Sequence, residues 1–490
     1  MSDKHLLIIG GGLAGLSAGC YARRSGFRTT IVEHNLALGG VCTAWPRGPY
    51  TVDGCIQWLT GGDFARLYEE LHIVPPVKLR VLERWATYRD AHDGFEIPVT
   101  RDLDLLVTQL SRVSSADAPE LQRLRQGARN VAAMRVPIDA PELTGMSETL
   151  ASLWEMRAAL PSLVHLRKPI GLWTREHIAS PRLQRFFTRV LPETAPVLLL
   201  AMVLGYLERG YLSRPIGGTA AFRDALVTAY HDLGGETLLH ATVDEVLVEG
   251  GRATGARLSD GTMLAGDLVL STSSGPETVL RLLGGRYDAR ATRERLEKWK
   301  LFDPIVLASV GVARSYSESP ALIVLDGLDP LEVGGRINAH LSLRVCNDDP
   351  SFAPAGHSVI QVMLPTDYEW WATRGTGYGK AKERVASDLL ATLEPHFPEL
   401  SSAVRMTDIA TPLTYWGMAR SWRGAYEGWM PTGESFFARP KKRLAGLEGF
   451  YMAGQWVEPG GGVPSAVLSG RQVIQLVCHD EGRTFISSSR

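Results

Sequence analysis

The stretch HLLIIGGGLAG, residues 5–15, decides the fold of this chain. Its first five residues form a short, mostly apolar run that predicts a buried strand, and glycines follow at once. A helical pattern then continues to Gly26, and the run RTTIV at residues 28–32 predicts a second strand. Strand, glycine-rich loop, helix and strand within about 30 residues are typical of a dinucleotide-binding unit.

Each small residue of the loop has a physical task in such a unit. Gly10 permits the tight turn, Gly12 lets the backbone approach a pyrophosphate, and Gly15 lets the helix pack on the sheet. The helix begins near Leu13 and Ala14, where free N–H groups and the helix dipole favour negative charge. We therefore expect these five residues to bind the phosphates of a dinucleotide.

The residues after the second strand identify the dinucleotide. Glu33 ends this strand, where its carboxylate can accept hydrogen bonds from ribose hydroxyls and disfavours the 2′-phosphate of NADP. Shortly after it, Gly39 and Gly40 allow the chain to fold tightly beside an extended ligand. This pair resembles the glycine pair of the glutathione-reductase-type FAD proteins. The resemblance implies FAD, not NAD, with His34 and Val41 as neighbouring contacts.

Two later portions of the chain complete the predicted nucleotide site. A turn-rich break at 213–218 precedes a predicted helix at 220–233 and short strands up to residue 271. In the FAD proteins that this portion resembles, the residue at Val243 meets the adenine through its backbone. Near the C-terminus, a strand at 449–452 runs into a second glycine-rich loop that enters a helix, which suits a phosphate or a flavin edge. The contacts expected there are Gly454, Gln455, Val463, Pro464 and Ala466.

The predicted fold is therefore α/β, with a Rossmann-like FAD-binding domain built from segments 1–75, 211–300 and 440–490. Segments 76–210 and 301–439 are left to form an α+β substrate-binding lobe. The first of these two is predicted to be mainly helical, with helices at 147–159 and 182–191. The second begins with strand-like patterns at 305–312 and 337–345.

Composition excludes several other classes of protein. The formal net charge of −1 gives no electrostatic reason to expect nucleic acid, and the five scattered cysteines do not form a disulfide framework. No charged and apolar leader precedes the first strand, so a cytoplasmic protein is expected. Neither a zinc-ligand spacing nor a P-loop occurs, and no metal is expected.

The longest apolar run, residues 195–207, is shorter than the roughly 20 residues that span a bilayer. Arg185, Arg189 and Arg209 flank it, which predicts peripheral contact with anionic lipid. The alternative interpretation is a buried helix that lines the substrate tunnel.

The combined pattern resembles the phytoene desaturase family, with its carotenoid isomerase and retinol saturase relatives. The matching pieces span nearly the whole chain, at 39–42, 52–58, 215–218, 349–354, 411–412, 453–456 and 469–471. The resemblance implies redox or double-bond chemistry on a lipophilic, polyene- or isoprenoid-like substrate, and adds Gly54 to the FAD contacts. The family often has an acid where Gln455 stands, and an acid and an arginine where Ser180 and Gln184 stand.

The catalytic residues are less clearly indicated than the cofactor contacts. Asp53, Glu458 and His340 are candidate proton carriers, and the rings of Trp416 and Trp456 are candidates for contact with an electron-poor polyene. Two other functions remain open at this point. One is a flavin oxidase of an amine or another small metabolite, and the other is a non-enzymatic binder of prenylated proteins.

Overall fold

The computed structural model describes residues 4–145, 165–347, 349–436 and 438–488. The strands are β1 His5–Ile9, β2 Arg28–Val32, β3 Ala44–Arg47, β4 Tyr50–Asp53, β5 Leu59–Thr60, β6 Leu79–Val81, β7 Arg84–Asp90, β8 Glu96–Thr100, β9 Leu212–Pro215, β10 Glu236–Leu238, β11 Val243–Glu249, β12 Arg252–Leu258, β13 Met263–Ala265, β14 Leu268–Ser271, β15 Ile305–Val312, β16 Leu322–Val333, β17 Arg336–Cys346, β18 Ser358–Pro365, β19 Val404–Ala410 and β20 Phe450–Met452. The α-helices are α1 Leu13–Arg24, α2 Ala65–Glu70, α3 Leu103–Val113, α4 Ala118–Ala132, α5 Ile170–His177, α6 Pro181–Val190, α7 Val197–Glu208, α8 Gly218–Asp232, α9 Ala289–Lys298, α10 Tyr368–Ala372, α11 Tyr378–Leu393, α12 Leu400–Ala403, α13 Pro412–Ala419 and α14 Gly462–Asp480.

A five-stranded parallel sheet forms the nucleotide-binding portion, in the order β10-β2-β1-β14-β20. Its strands come from three distant stretches of the chain, and α1 packs against both α8 and α14. The apolar residues of β1 lie on both faces of the sheet and are buried, as expected of a parallel strand covered on both sides. The predicted α/β fold is confirmed, and β1 and β2 have the predicted bounds.

A seven-stranded mixed sheet, β19-β15-β18-β17-β16-β7-β8, forms the second lobe. Successive side chains of β16 point to opposite faces: Leu322 and Val324 pack with α3, α4, α6 and α7, whereas Ile323 and Leu325 pack with α11. Two of the seven strands, β7 and β8, come from the segment predicted to be mainly helical, so that prediction missed an antiparallel hairpin. The helix predicted at 182–191 is α6, and the helix predicted at 147–159 lies outside the described residues.

The long apolar run at 195–207 forms α7, which lies in the core of the second lobe. Leu198, Leu200 and Leu204 are at most 5% exposed, and Arg185 and Arg189 form ion pairs with the buried Asp326. The burial of this run favours the alternative interpretation, a buried helix, over contact with lipid. In the described part of the chain no helix combines the length and the hydropathy needed to cross a membrane.

A close crossing between α7 and α4 allows a test of this packing. A Cβ added to Gly205 would lie 2.2 Å from the backbone oxygen of Ala128, so the two helices would have to separate. Gly205→Ala should lower the free energy of unfolding by about 1–3 kcal/mol, as overpacking does. A Cβ added to Gly379 in α11 would meet open space, so Gly379→Ala should instead stabilise the protein by about 0.5–1 kcal/mol. Chemical denaturation measures both, and equal effects of the two changes would contradict the crossing.

Candidate functional site

A cleft opens at the carboxyl ends of β1, β2 and β14, the place where open α/β sheets bind ligands. It encloses about 1260 Å³ of space, with the open solvent at its mouth included. Residues 418–421, 426 and 427 of the second lobe close one side of it. Most residues predicted to bind the cofactor line this cleft: Gly10, Gly12, Leu13, Ala14, Glu33, His34, Gly39, Gly40, Val41, Val243, Gly454, Gln455, Val463 and Ala466.

Two glycine loops approach each other at the middle of the cleft. The N–H of Gly39 donates to the carbonyl of Gly11 at 2.8 Å, and a Cβ on Gly40 would lie 3.1 Å from the Cα of Gly12. A Cβ on Gly12 would lie 3.9 Å from the Cα of Gly40, an ordinary contact distance, and would project into the gap between the two loops. The two loops thus form a narrow cradle of bare backbone, as the approach of a pyrophosphate requires.

Helix α1 begins directly at this cradle. Gly12 is its N-cap residue and brings no side chain to accept from the N–H groups of the first turn, which are therefore free for an anion. Gly15 does not line the cleft. A Cβ on Gly15 would lie 2.1 Å from the carbonyl oxygen of Gly10, so this glycine allows α1 to pack against the loop.

Glu33 holds the loop that carries the cradle. Its side chain is buried, and its two carboxylate oxygens accept hydrogen bonds from the N–H groups of Gly11, at 2.7 Å, and Asn35, at 2.8 Å. Burial raises the pKa of Glu33, and these two hydrogen bonds oppose the rise. Each carboxylate oxygen keeps further acceptor capacity, so the same group can also accept from ribose hydroxyls.

One end of the cleft lies beyond Glu33. His34 shares a hydrogen bond of 2.6 Å between its Nδ1 and the hydroxyl of Thr242, and burial, with Arg420 nearby, lowers its pKa. The carbonyl of Val243 accepts from the guanidinium of Arg281 at 3.1 Å. This end combines backbone groups with the polar side chains of His34, Thr242, Arg281 and Arg420, which can bind an aromatic base such as adenine.

The opposite end carries the groups that would face a substrate. Cys42, Cys55, Tyr426, Glu427 and Trp456 line it. Burial raises the pKa of Glu427 to about 7. Sequence reasoning missed this acid, and the signal that could have found it is a single carboxylate within the aromatic run AYEGWM at residues 425–430.

Gln455 stands where the proteins that the sequence resembles often have an acid, and its side chain makes a contact that an acid could not make. Its Nε2 donates to the backbone carbonyl of Tyr426 at 2.9 Å. A carboxylate at this position has no proton to donate and would repel the carbonyl oxygen. Gln455 therefore connects the second glycine loop to the segment that carries Glu427.

Several predicted residues lie outside the lining of the cleft. Gly54 packs between Thr43 and the ring of Trp45 at the base of the β3–β4 hairpin, and Pro464 lies in the first turn of α14. Asp53 is 1% exposed and accepts from Thr219 and Arg344, so its contacts favour a structural role.

Of the remaining catalytic candidates, His340 and Glu458 lie outside the lining of the cleft. His340 lies on β17 opposite Asp326, and burial lowers its pKa to about 4. Glu458 is buried and forms an ion pair of 2.8 Å with Arg439. Trp416 lies on α13, whose last residues reach the cleft, whereas Trp456 lines the cleft itself.

Comparison with known proteins identifies the family. The model of the flavin containing amine oxidoreductases matches residues 13–478, which is nearly the whole chain. The chain belongs to this family. As a flavin containing amine oxidoreductase it is an FAD-dependent enzyme, so the interpretation as a non-enzymatic binder of prenylated proteins is wrong.

Among related sequences, the resemblance to the phytoene desaturases is confirmed. The chain is 26% identical to phytoene desaturase (neurosporene-forming) from Rhodobacter capsulatus, over 96% of this chain and 93% of that protein. It is 24% identical to prolycopene isomerase 2 from an Oncidium hybrid cultivar, over 98% of this chain and 84% of that protein.

Two solved structures share the fold. Cyclohexylamine oxidase from Brevibacterium oxydans is similar with a TM-score of 0.61 and 16% identity, over 98% of this chain and all of that one. An oxidoreductase from Methanosarcina mazei has a TM-score of 0.64 and 16% identity, over 96% of this chain and all of that one.

The residues of the cleft fit FAD. The bare cradle at Gly12 and Gly40 leaves room for the pyrophosphate, and Glu33 stands where the ribose of an adenosine would lie. At the other end, α14 begins at a second glycine loop with no side chain capping its first turn. Its free N–H groups would favour negative charge on a reduced flavin ring.

Proposed function

We propose that this enzyme desaturates, saturates or isomerises C–C bonds of a lipophilic, polyene- or isoprenoid-like substrate. The observation that carries the proposal is the similarity, over almost the whole chain, to relatives named as phytoene desaturases and prolycopene isomerases. The aromatic and apolar lining of the cleft at Tyr426 and Trp456 supports it, because such walls exclude water from an apolar substrate. The amine oxidase alternative has weaker support, since the solved putrescine and cyclohexylamine oxidases are only 14% and 16% identical to the chain.

FAD, when bound, would supply the two-electron chemistry of the reaction. The protein then has three tasks: it holds the cofactor on backbone N–H groups, it aligns the substrate carbon with the flavin, and it moves a proton. Trp456 lies at the end of the cleft where the substrate would be aligned with the flavin.

The purified holoenzyme should convert a carotenoid supplied in liposomes. Phytoene and prolycopene are the probes, because a change in their conjugated system or isomer is seen directly by chromatography with absorption detection. We expect turnover of at least one of the two, without added NADPH. Flotation of the same liposomes tests peripheral membrane contact of the protein.

Amines provide the opposing test. Cyclohexylamine and putrescine are supplied to the same preparation, and hydrogen peroxide is measured. Peroxide formed from an amine, together with unchanged carotenoids, would replace the proposed function with the amine oxidase alternative.

A further inference from the structure

Glu427 is an acid at the end of the cleft opposite Glu33, next to Tyr426 and near Cys55. It stands on the segment that follows α13 and is partly open to the cleft. The other walls at this end are thiols, aromatic rings and glycine backbone. Ionising a carboxyl group in such surroundings costs free energy, so an acid is unexpected at this position.

The backbone on both sides of Glu427 is fixed by contacts with the second glycine loop. Gln455 donates its Nε2 to the carbonyl of Tyr426 at 2.9 Å, and Trp429 donates its Nε1 to the carbonyl of Trp456 at 3.2 Å. The rings of Trp429 and Trp456 also meet edge to face, with centroids 5.1 Å apart. Glu427 is thus held in place by the same loop that would contact the flavin.

A second set of hydrogen bonds holds the segment from the opposite side. The N–H of Phe302 donates to the carbonyl of Gly428, and the N–H of Met430 donates to the carbonyl of Lys300, both at 2.9 Å. The segment therefore lies between residues 300–302 and the second glycine loop, and the side chain of Glu427 has little freedom to leave the cleft.

The carboxyl group touches the loop that starts α14. A Cβ added to Gly461 would lie 2.9 Å from the Cβ of Glu427 and 3.1 Å from its Oε2. A side chain at Gly461 is disfavoured by this close contact. It is also disfavoured by the backbone, because Gly461 has a φ of 70°, in the left-handed region. The acid is therefore packed directly against the start of the helix that would lie at the flavin.

The electrostatic surroundings leave the acid free to exchange its proton. Within the described residues, its carboxylate forms neither an ion pair nor a hydrogen bond. The titratable groups around it, Cys55, Tyr415 and Tyr426, have pKa values raised by their surroundings and are neutral at pH 7. Burial raises the pKa of Glu427 itself to about 7, so both protonation states are populated near neutral pH.

We propose that Glu427 is a catalytic residue that exchanges a proton with a substrate carbon. For a desaturation, FAD held at the glycine cradle would supply the acceptor for one hydrogen with its electron pair, and oxygen or a quinone would be the final acceptor of the two electrons. The neighbouring carbon gives its hydrogen as a proton to the Glu427 carboxylate, and the electron pair left behind forms the new double bond. Glu427 then releases the proton to solvent.

This inference rests on the proposed function, and its first test is kinetic. Glu427→Gln should keep its FAD and convert the phytoene or prolycopene probe on the order of 10²–10⁴ times more slowly. Glu427→Asp should recover part of the rate. The matched control is Glu434→Gln, a change of the same shape at an exposed acid seven positions along the chain, and it should act as the wild type.

For a desaturation, the wild-type kcat/KM should fall as the pH drops through about 7, because only the ionised form of Glu427 can accept the proton.

A second measurement does not depend on turnover. The flavin absorption spectrum of the wild-type holoenzyme should change with a midpoint near pH 7, because a charge appears in the cleft as Glu427 ionises. Glu427→Gln should lack this transition and Glu434→Gln should keep it. A wild-type rate in Glu427→Gln, or a transition that persists in it, would overturn the inference. If the wild type converts no carotenoid, the proposed function fails, and the spectral titration alone then decides whether Glu427 is the titrating group.

Discussion

Replacing Gly12 with valine should remove FAD from the protein while the fold is kept. A Cβ at this position would lie no closer than 3.9 Å to any protein atom, so it does not clash with the backbone of the chain. It would instead occupy the cradle opposite Gly40, where the pyrophosphate has to approach the backbone. Gly12 has extended backbone geometry that valine readily adopts. We expect the affinity for FAD to fall by about 100-fold or more, or about 2.8 kcal/mol.

The flavin absorbance of the purified protein, relative to its absorbance at 280 nm, measures this loss. The matched control is Gly377→Val, at a glycine next to α11 where an added Cβ meets nothing within 4 Å. It should keep full flavin absorbance. A Gly12→Val protein as yellow as the control would disprove the assignment of the cradle.

Removing the charge of Arg344 should destabilise the protein severely. Its guanidinium lies 3.4 Å from the Asp53 carboxylate, donates to the carbonyl of Ile56 at 3.2 Å and stacks over the ring of Phe352 at 4.9 Å. The side chains of Arg344 and Asp53 are 4% and 0% exposed. Arg344→Met leaves the carboxylate buried without its cation, which typically costs about 3–5 kcal/mol.

Chemical denaturation followed by fluorescence measures this cost. The additional change Asp53→Asn should restore part of the stability, because the amide removes the uncompensated charge and keeps an acceptor for the N–H of Thr219. The control is Arg290→Met, which breaks a pair with Glu294 on the surface and should change the free energy of unfolding by less than about 1 kcal/mol. A cost for Arg344→Met as small as that of the control would show that the buried pair is unimportant.

The nucleotide-binding portion was predictable because its signals are local. The strand, turn and helix of residues 5–24 follow each other directly, and Gly10 and Gly15 are required by backbone geometry within those few residues. Glu33 was recognisable for the same reason, since a carboxylate at the end of a second strand has a defined place in the unit.

The residues that sequence reasoning misjudged depend on distant partners. Arg344 pairs with Asp53 across 291 positions of the chain, and no local pattern shows that this acid is already engaged. The apolar composition of the run at 195–207 suits a protein core as well as lipid, and only the helices packed around it distinguish these two locations. Glu427 acquires its environment from Gln455 and the loop at Gly461, which are close to it only after folding.

The construction of the parallel sheet also has consequences for folding. Helix α14 covers α1, with the hydroxyl of Ser17 donating to the carbonyl of Val467 at 2.9 Å, and β20 completes the sheet beside β14. Contacts between residues this far apart in sequence make a slow folding reaction, because loop closure costs entropy before the contacts form. During synthesis, β1 and β2 leave the ribosome long before their last partners exist. The FAD cleft can therefore close only when translation has passed residue 480, and until then the exposed edge of β14 is a site at which aggregation can begin.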